Sequence, residues 1–81
     1  MQVPIKTFHL YRQYDETGVS GIGVVLEGVI FSNGHCVTSW LSDHPCVSTW
    51  DTFDDFVQIH ITSHPSNGSQ ILFSTGETIV Y

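Results

Sequence analysis

Gly18-Val-Ser-Gly-Ile-Gly-Val-Val-Leu-Glu-Gly-Val-Ile-Phe-Ser-Asn-Gly34 decides how this chain folds. It offers a glycine-bearing entry, one long apolar strand and a tight turn. Asn33-Gly34 stands between Val29-Ile30-Phe31 and Cys36-Val37, and Asn-Gly between apolar runs predicts a two-residue hairpin, because both residues tolerate positive φ. That register sets Phe31 opposite Cys36, Ile30 opposite Val37, Val29 opposite Thr38, Gly28 opposite Ser39 and Glu27 opposite Trp40. Side chains alternate across a strand, so two faces follow. Val24, Leu26, Ile30, Val37 and Leu41 form the expected core face. Glu27, Val29, Phe31, Thr38 and Trp40 form the other, where a carboxylate, a hydroxyl and an indole share an apolar patch.

Outward from the hairpin, Thr7 to Tyr14 alternates. Phe8, Leu10, Arg12 and Tyr14 fall on one side, and His9, Tyr11 and Gln13 on the other, which predicts a first strand. Asp15 to Gly21 is a polar, glycine-bearing loop. Pro45 ends the hairpin's second arm, and Cys46 to Trp50 is a short β-prone run. The period then changes: Phe53, Phe56, Val57 and Ile61 recur at three- and four-residue spacings, which is a helical stripe ending near His60 or Ile61. Thr52 with Asp55 resembles a capping box, and Asp51, Asp54 and Asp55 suit the positive end of a helix dipole. Gln70 to Phe73 and Thr78 to Tyr81 complete the pattern as strands. The order β-β-β-β-α-β-β predicts one domain over residues 1–81, of the α+β class but mainly β. The expected architecture is a small bent antiparallel sheet or partly open barrel with one short helix.

Composition narrows the function classes. The 81 residues carry eight acidic side chains against Lys6 and Arg12, for a formal net charge of −6. Charged residues make up 12% of the chain, against about 25% in typical domains. So few cations argue against direct nucleic-acid binding, which needs a basic patch. No run approaches the roughly 20 apolar residues of a membrane span, and Met1 to Lys6 lacks the features of a signal peptide. A cytoplasmic protein of a bacterial host cell, with Cys36 and Cys46 as free thiols, is the expectation.

The candidates for chemistry thin out quickly. Gly21 and Gly23 give G-x-G, but Leu26 breaks a dinucleotide fingerprint and the stretch leads into a strand instead of a helix. These glycines are better suited to a bend or bulge at the sheet's entry. His60 and His64 are four apart, yet no paired Cys or His spacing defines a zinc site. No serine or cysteine has a recognisable His-acid partner. The expectation is therefore a protein that is not an enzyme and has no catalytic residues, metal or cofactor. Trp and Tyr anchor interfaces and stack on ring ligands. The candidate binding residues are accordingly Glu27, Thr38, Trp40, Trp50 and Tyr11.

Gly18-Val-Ser-Gly21, Gly23-Val-Val, Glu27-Gly-Val, Phe31-Ser-Asn-Gly34 and Trp40-Leu41, continued by Trp50-Asp51, Phe53-Asp54-Asp55 and Ile59-His60, resemble a family of very short proteins of bacteria, archaea and their phages. The likeness covers residues 18 to 60. Leu26 stands where the family has a small apolar residue, and Ser63-His64-Pro65 replaces a His-Gly element. The resemblance implies a compact fold and a phage context, and it carries no activity. By analogy of size and context, it suggests a phage-borne antagonist that binds and blocks a bacterial defence protein. The alternatives are an oligomer that sequesters a cyclic nucleotide signal in a shared pocket and a soluble housekeeping domain. The exposed edges of so small a sheet favour a homodimer or higher homo-oligomer.

Overall fold

A computed structural model describes residues 5–14, 22–42 and 45–81. Six strands form one antiparallel sheet: β1 (Lys6–Arg12), β2 (Gly23–Ile30), β3 (Cys36–Trp40), β4 (Val47–Trp50), β5 (Ser69–Phe73) and β6 (Thr78–Val80). Their spatial order is β4-β3-β2-β1-β5-β6. Neighbours in sequence are neighbours in space except where β5 pairs with β1, placing the first strand at the centre. The expected order of elements and the mainly β class hold, and the sheet is open. No helix among the described residues is long and apolar enough to cross a membrane.

Between β4 and β5 the chain forms helix α1 (Phe53–Val57), which widens into a π-helical turn over Gln58–Thr62. Thr52 caps it as the sequence predicts, its hydroxyl accepting from the Asp55 N–H at 3.1 Å. The wider turn is closed by side chains as well as backbone: the Thr62 hydroxyl donates to the Gln58 carbonyl at 3.2 Å, and the Ser63 hydroxyl donates to the Ile59 carbonyl. Phe56, Val57 and Ile61 press into the sheet. A short 3₁₀ turn, Pro65–Asn67, follows. The Asn67 carbonyl there receives the N–H groups of Gln13 and Tyr14 and ties down the end of β1.

The helix covers one face of the sheet only. Phe8, Leu10, Leu26, Cys36, Phe56, Ile61 and Ile71 are buried between the layers. Gly28 pairs with Phe8, and the Phe8 ring lies over the space a side chain at 28 would fill. Removing that side chain lets an aromatic ring cross the neighbouring strand, and the ring goes on to meet Phe53, Phe56 and Phe73 at 5.1–6.1 Å between centroids. Val25 is an extra residue on β2, opposite the step from Leu10 to Tyr11, and it is buried. The bulge follows Gly23, whose φ is +86°, so the glycine at the sheet's entry acts as the sequence suggests. Gly21 and the polar loop lie outside the described residues.

The hairpin register differs from the expectation by one residue. Ile30 faces Cys36, Val29 faces Val37, Gly28 faces Thr38, Glu27 faces Ser39 and Leu26 faces Trp40. The loop is three residues long, not two. The Gly34 N–H donates to the Phe31 carbonyl at 2.9 Å, and the Phe31 N–H donates to the His35 carbonyl at 2.8 Å. Asn33 has negative φ and only Gly34 is positive, at +93°. This is a type I turn followed by a bulged glycine. Asn33 adds a bond of its own, its Oδ1 accepting from the His35 N–H at 3.1 Å. A one-residue slip moves every β3 side chain to the opposite face. Val37 leaves the core face, and Thr38 and Trp40 enter it.

Candidate functional site

The slip divides the five candidate residues. Thr38, Trp40 and Trp50 lie on the covered face. The Trp50 indole N–H donates to the Thr38 hydroxyl at 3.2 Å, which satisfies both groups inside the protein. Trp40 and Trp50 hold the His60 ring edge-on at 5.3 Å and 5.4 Å. Glu27 and Tyr11 remain on the uncovered face, so Glu27 and Trp40 share no surface. The grouping of carboxylate, hydroxyl and indole is corrected accordingly.

Both cations also belong to the covered side. Arg12 is 3% exposed; its guanidinium lies 5.2 Å from the Trp40 ring centroid and donates to the His60 carbonyl at 3.3 Å. Lys6 reaches over the Phe73 ring at 5.6 Å. His60, between Trp40 and Trp50, has its pKa lowered, first by burial and then by the nearby charges of Arg12 and His64. Burial raises the Cys36 thiol to about 11, so it stays protonated and unreactive at neutral pH. Cys46 is exposed.

The uncovered face carries a groove of about 420 Å³ across β1, β2 and β3. Its lining is three consecutive residues from each of three paired strands. Thr7, Val29 and Val37 make one row. His9, Glu27 and Ser39 make the other. The middle row is Phe8, Gly28 and Thr38, with Phe8 and Thr38 buried towards the helix, so the groove's floor is their backbone. The two walls are two residues apart along each strand, about 6.8 Å. One wall is largely apolar and the other polar. At the centre of the polar wall, His9 Nε2 lies 3.7 Å from Glu27 Oε2, the two side chains 50% and 57% exposed.

Residue patterning left His9 out of the candidate set, although its place beside Tyr11 on the strand's second face was readable. The signal that would have paired it with Glu27 is the glycine: Phe8 needs Gly28 beside it, and that pairing sets His9 opposite Glu27. Among the described residues, no group of three or more His, Cys, Asp or Glu converges as a metal site.

Fold and groove together define a class: a small, mainly β protein whose single sheet is covered on one face and grooved on the other. The chain matches the family described as Acb5 phage protein over residues 5–75, and it belongs to that family. It matches no curated protein and no solved structure.

Proposed function

We propose that this protein is an antagonist of a bacterial defence pathway that takes up a cyclic nucleotide signal in the groove around His9 and Glu27. The observation that carries the reading is the groove itself. One wall offers Val29 and Val37 for apolar contact, and the other offers a carboxylate, an imidazole and the Ser39 hydroxyl as polar anchors. This mixture is typical of small-ligand sites, and the volume falls in their lower range. The match to a phage protein family supports the anti-defence side of this reading.

Native mass spectrometry of the full chain with a panel of cyclic di- and trinucleotides tests this. A defined complex is expected, and Val37→Trp, which fills the groove from its apolar wall, should abolish it. Folded protein that retains no nucleotide would sink the reading. Recovery of the ligand separates two modes of action. An intact ligand makes the protein a sink, and a linearised one gives His9 and Glu27 a part in proton transfer.

A second reading rests on a different observation. Asp51, Asp54 and Asp55 are exposed together around the start of the helix, while both cations are engaged on the covered face. An acidic surface of this kind suits a basic partner, so direct blocking of a defence protein is the competing proposal. Charge reversal at Asp54 and Asp55 would weaken that interaction and leave nucleotide uptake unchanged.

A further inference from the structure

We infer that Glu27 makes the groove selective for guanine over adenine. The inference rests on the nucleotide reading above and adds to it which base is read, and by what.

The groove's charges come first. Lys6 and Arg12 are the chain's only Lys and Arg residues, and both lie on the covered side, over Phe73 and Trp40. Neither lines the groove, whose charged or titratable side chains are Glu27 and His9. A nucleotide held there is recognised chiefly through its ring, since among the described residues no Lys or Arg lines the groove to fix its phosphates.

Glu27 then decides which ring. An ionised carboxylate only accepts hydrogen bonds, through two oxygens held side by side. Guanine presents two parallel donors on one edge, N1–H and N2–H, and a carboxylate meets both in a paired, charge-assisted contact. Adenine presents one donor, N6–H, beside the bare lone pair of N1. Against a carboxylate it gains one bond and suffers one repulsion. The 3.7 Å separation of His9 Nε2 from Glu27 Oε2 exceeds hydrogen-bond length, so His9 does not consume the acceptor capacity. The Glu27 side chain is 57% exposed and lines the groove, so its oxygens remain accessible to a ligand there. Val29 and Val37 supply the apolar wall, and they distinguish no base from another.

The test is isothermal titration of the full chain with cyclic di-GMP and with cyclic di-AMP, for the wild type and for Glu27→Gln, with ligand integrity checked by mass spectrometry. The wild type should prefer cyclic di-GMP by about 10- to 100-fold, the discrimination of a good two-bond base contact. Glutamine presents one acceptor and one donor, the complement of adenine's edge. Glu27→Gln should therefore lose the guanine preference and bind cyclic di-AMP more tightly than the wild type does. A thermal melt of the variant confirms that it is folded. Equal wild-type affinity for both ligands, or a preference that survives Glu27→Gln, overturns the inference and leaves nucleotide uptake standing. Failure of the folded wild type to bind either ligand overturns the inference, and failure across the whole panel of cyclic nucleotides overturns the uptake reading as well.

Discussion

The two faces of the sheet are built from the same strands and differ in almost every physical respect. On the covered face, Phe8, Leu10, Leu26 and Ile71 are buried under the helix, the Trp50 indole donates to the Thr38 hydroxyl, and the Arg12 guanidinium lies over Trp40 and donates to the His60 carbonyl. On the open face, Thr7, His9 and Glu27 are exposed, and Val29, Val37 and Ser39 are half-buried. The first face has little room for change and so carries stability. Among the described residues the second holds no buried layer, so its residues are free to be chosen for what they contact. Substitutions on the two faces should separate along that line.

The largest effect is expected at Phe8, whose ring joins β1 to the helix and crosses Gly28. Phe8→Ala should cost about 3–5 kcal/mol, the usual loss for truncating a buried aromatic. In so small a domain that abolishes the cooperative thermal transition or moves it far down. A melting temperature within a few degrees of the wild type would mean that the helix does not cover this face. Gly28→Ala approaches the same contact from the other strand. Its new methyl would stand 2.7 Å and 2.8 Å from two Phe8 ring carbons, so the ring has to move. Overpacking of this kind costs about 1–3 kcal/mol, and restoring space with Phe8→Leu should recover part of the loss.

The hairpin turn comes next. Gly34 has φ of +93° and open space where a Cβ would stand, so a substitution there meets conformational strain and no collision. Gly34→Val should cost about 1–2 kcal/mol, read as a lower denaturant midpoint with an unchanged slope. An unaltered midpoint would show that the turn can be rebuilt without a left-handed residue.

This turn also shows how much of the molecule was legible in its sequence. The change of period at Phe53 revealed the helix, Thr52 its start, and Pro45 the end of a strand, so the order of elements was readable. The faces were less so. Asn-Gly serves both a two-residue turn and the last two positions of a three-residue loop, and nothing local to residues 31–35 separates them. The difference of one residue sent Thr38 and Trp40 inward and left Glu27 on the open face without the indole. Phe8 and Gly28 held the missing information, but their pairing joins residues twenty apart and only the assembled sheet displays it. The pairing of β1 with β5 is more distant still, and tertiary packing alone places β1 at the centre.

A smaller effect, with its sign fixed by burial, is expected at His60. The ring sits between Trp40 and Trp50 with Arg12 and His64 nearby, and its pKa is lowered from the ordinary 6.5. A group with a depressed histidine pKa is held neutral in the fold and takes up a proton more readily when unfolded. Its contribution is fully present above about pH 6.5 and is lost as the pH falls from there through the folded-state value. His60→Gln should flatten the loss of stability in that window compared with wild type. Parallel pH profiles for the two proteins would place the acid sensitivity elsewhere.

The smallest effect on stability is expected at the centre of the open face, where it carries the most meaning. His9 and Glu27 are half-exposed and 3.7 Å apart, and pairs of this kind contribute about 0–1 kcal/mol. His9→Gln should leave the melting temperature within a few degrees of wild type, since nothing is buried or unsatisfied by the change. The same variant should weaken the proposed nucleotide uptake, because it removes the imidazole from the groove's polar wall. Lost binding at constant stability would mark the open face as the working surface. Should the melting temperature fall by the amount expected for a core residue, the pair would instead be holding β1 to β2. Stability would then reside on both faces of the sheet, and the contrast between them would fail.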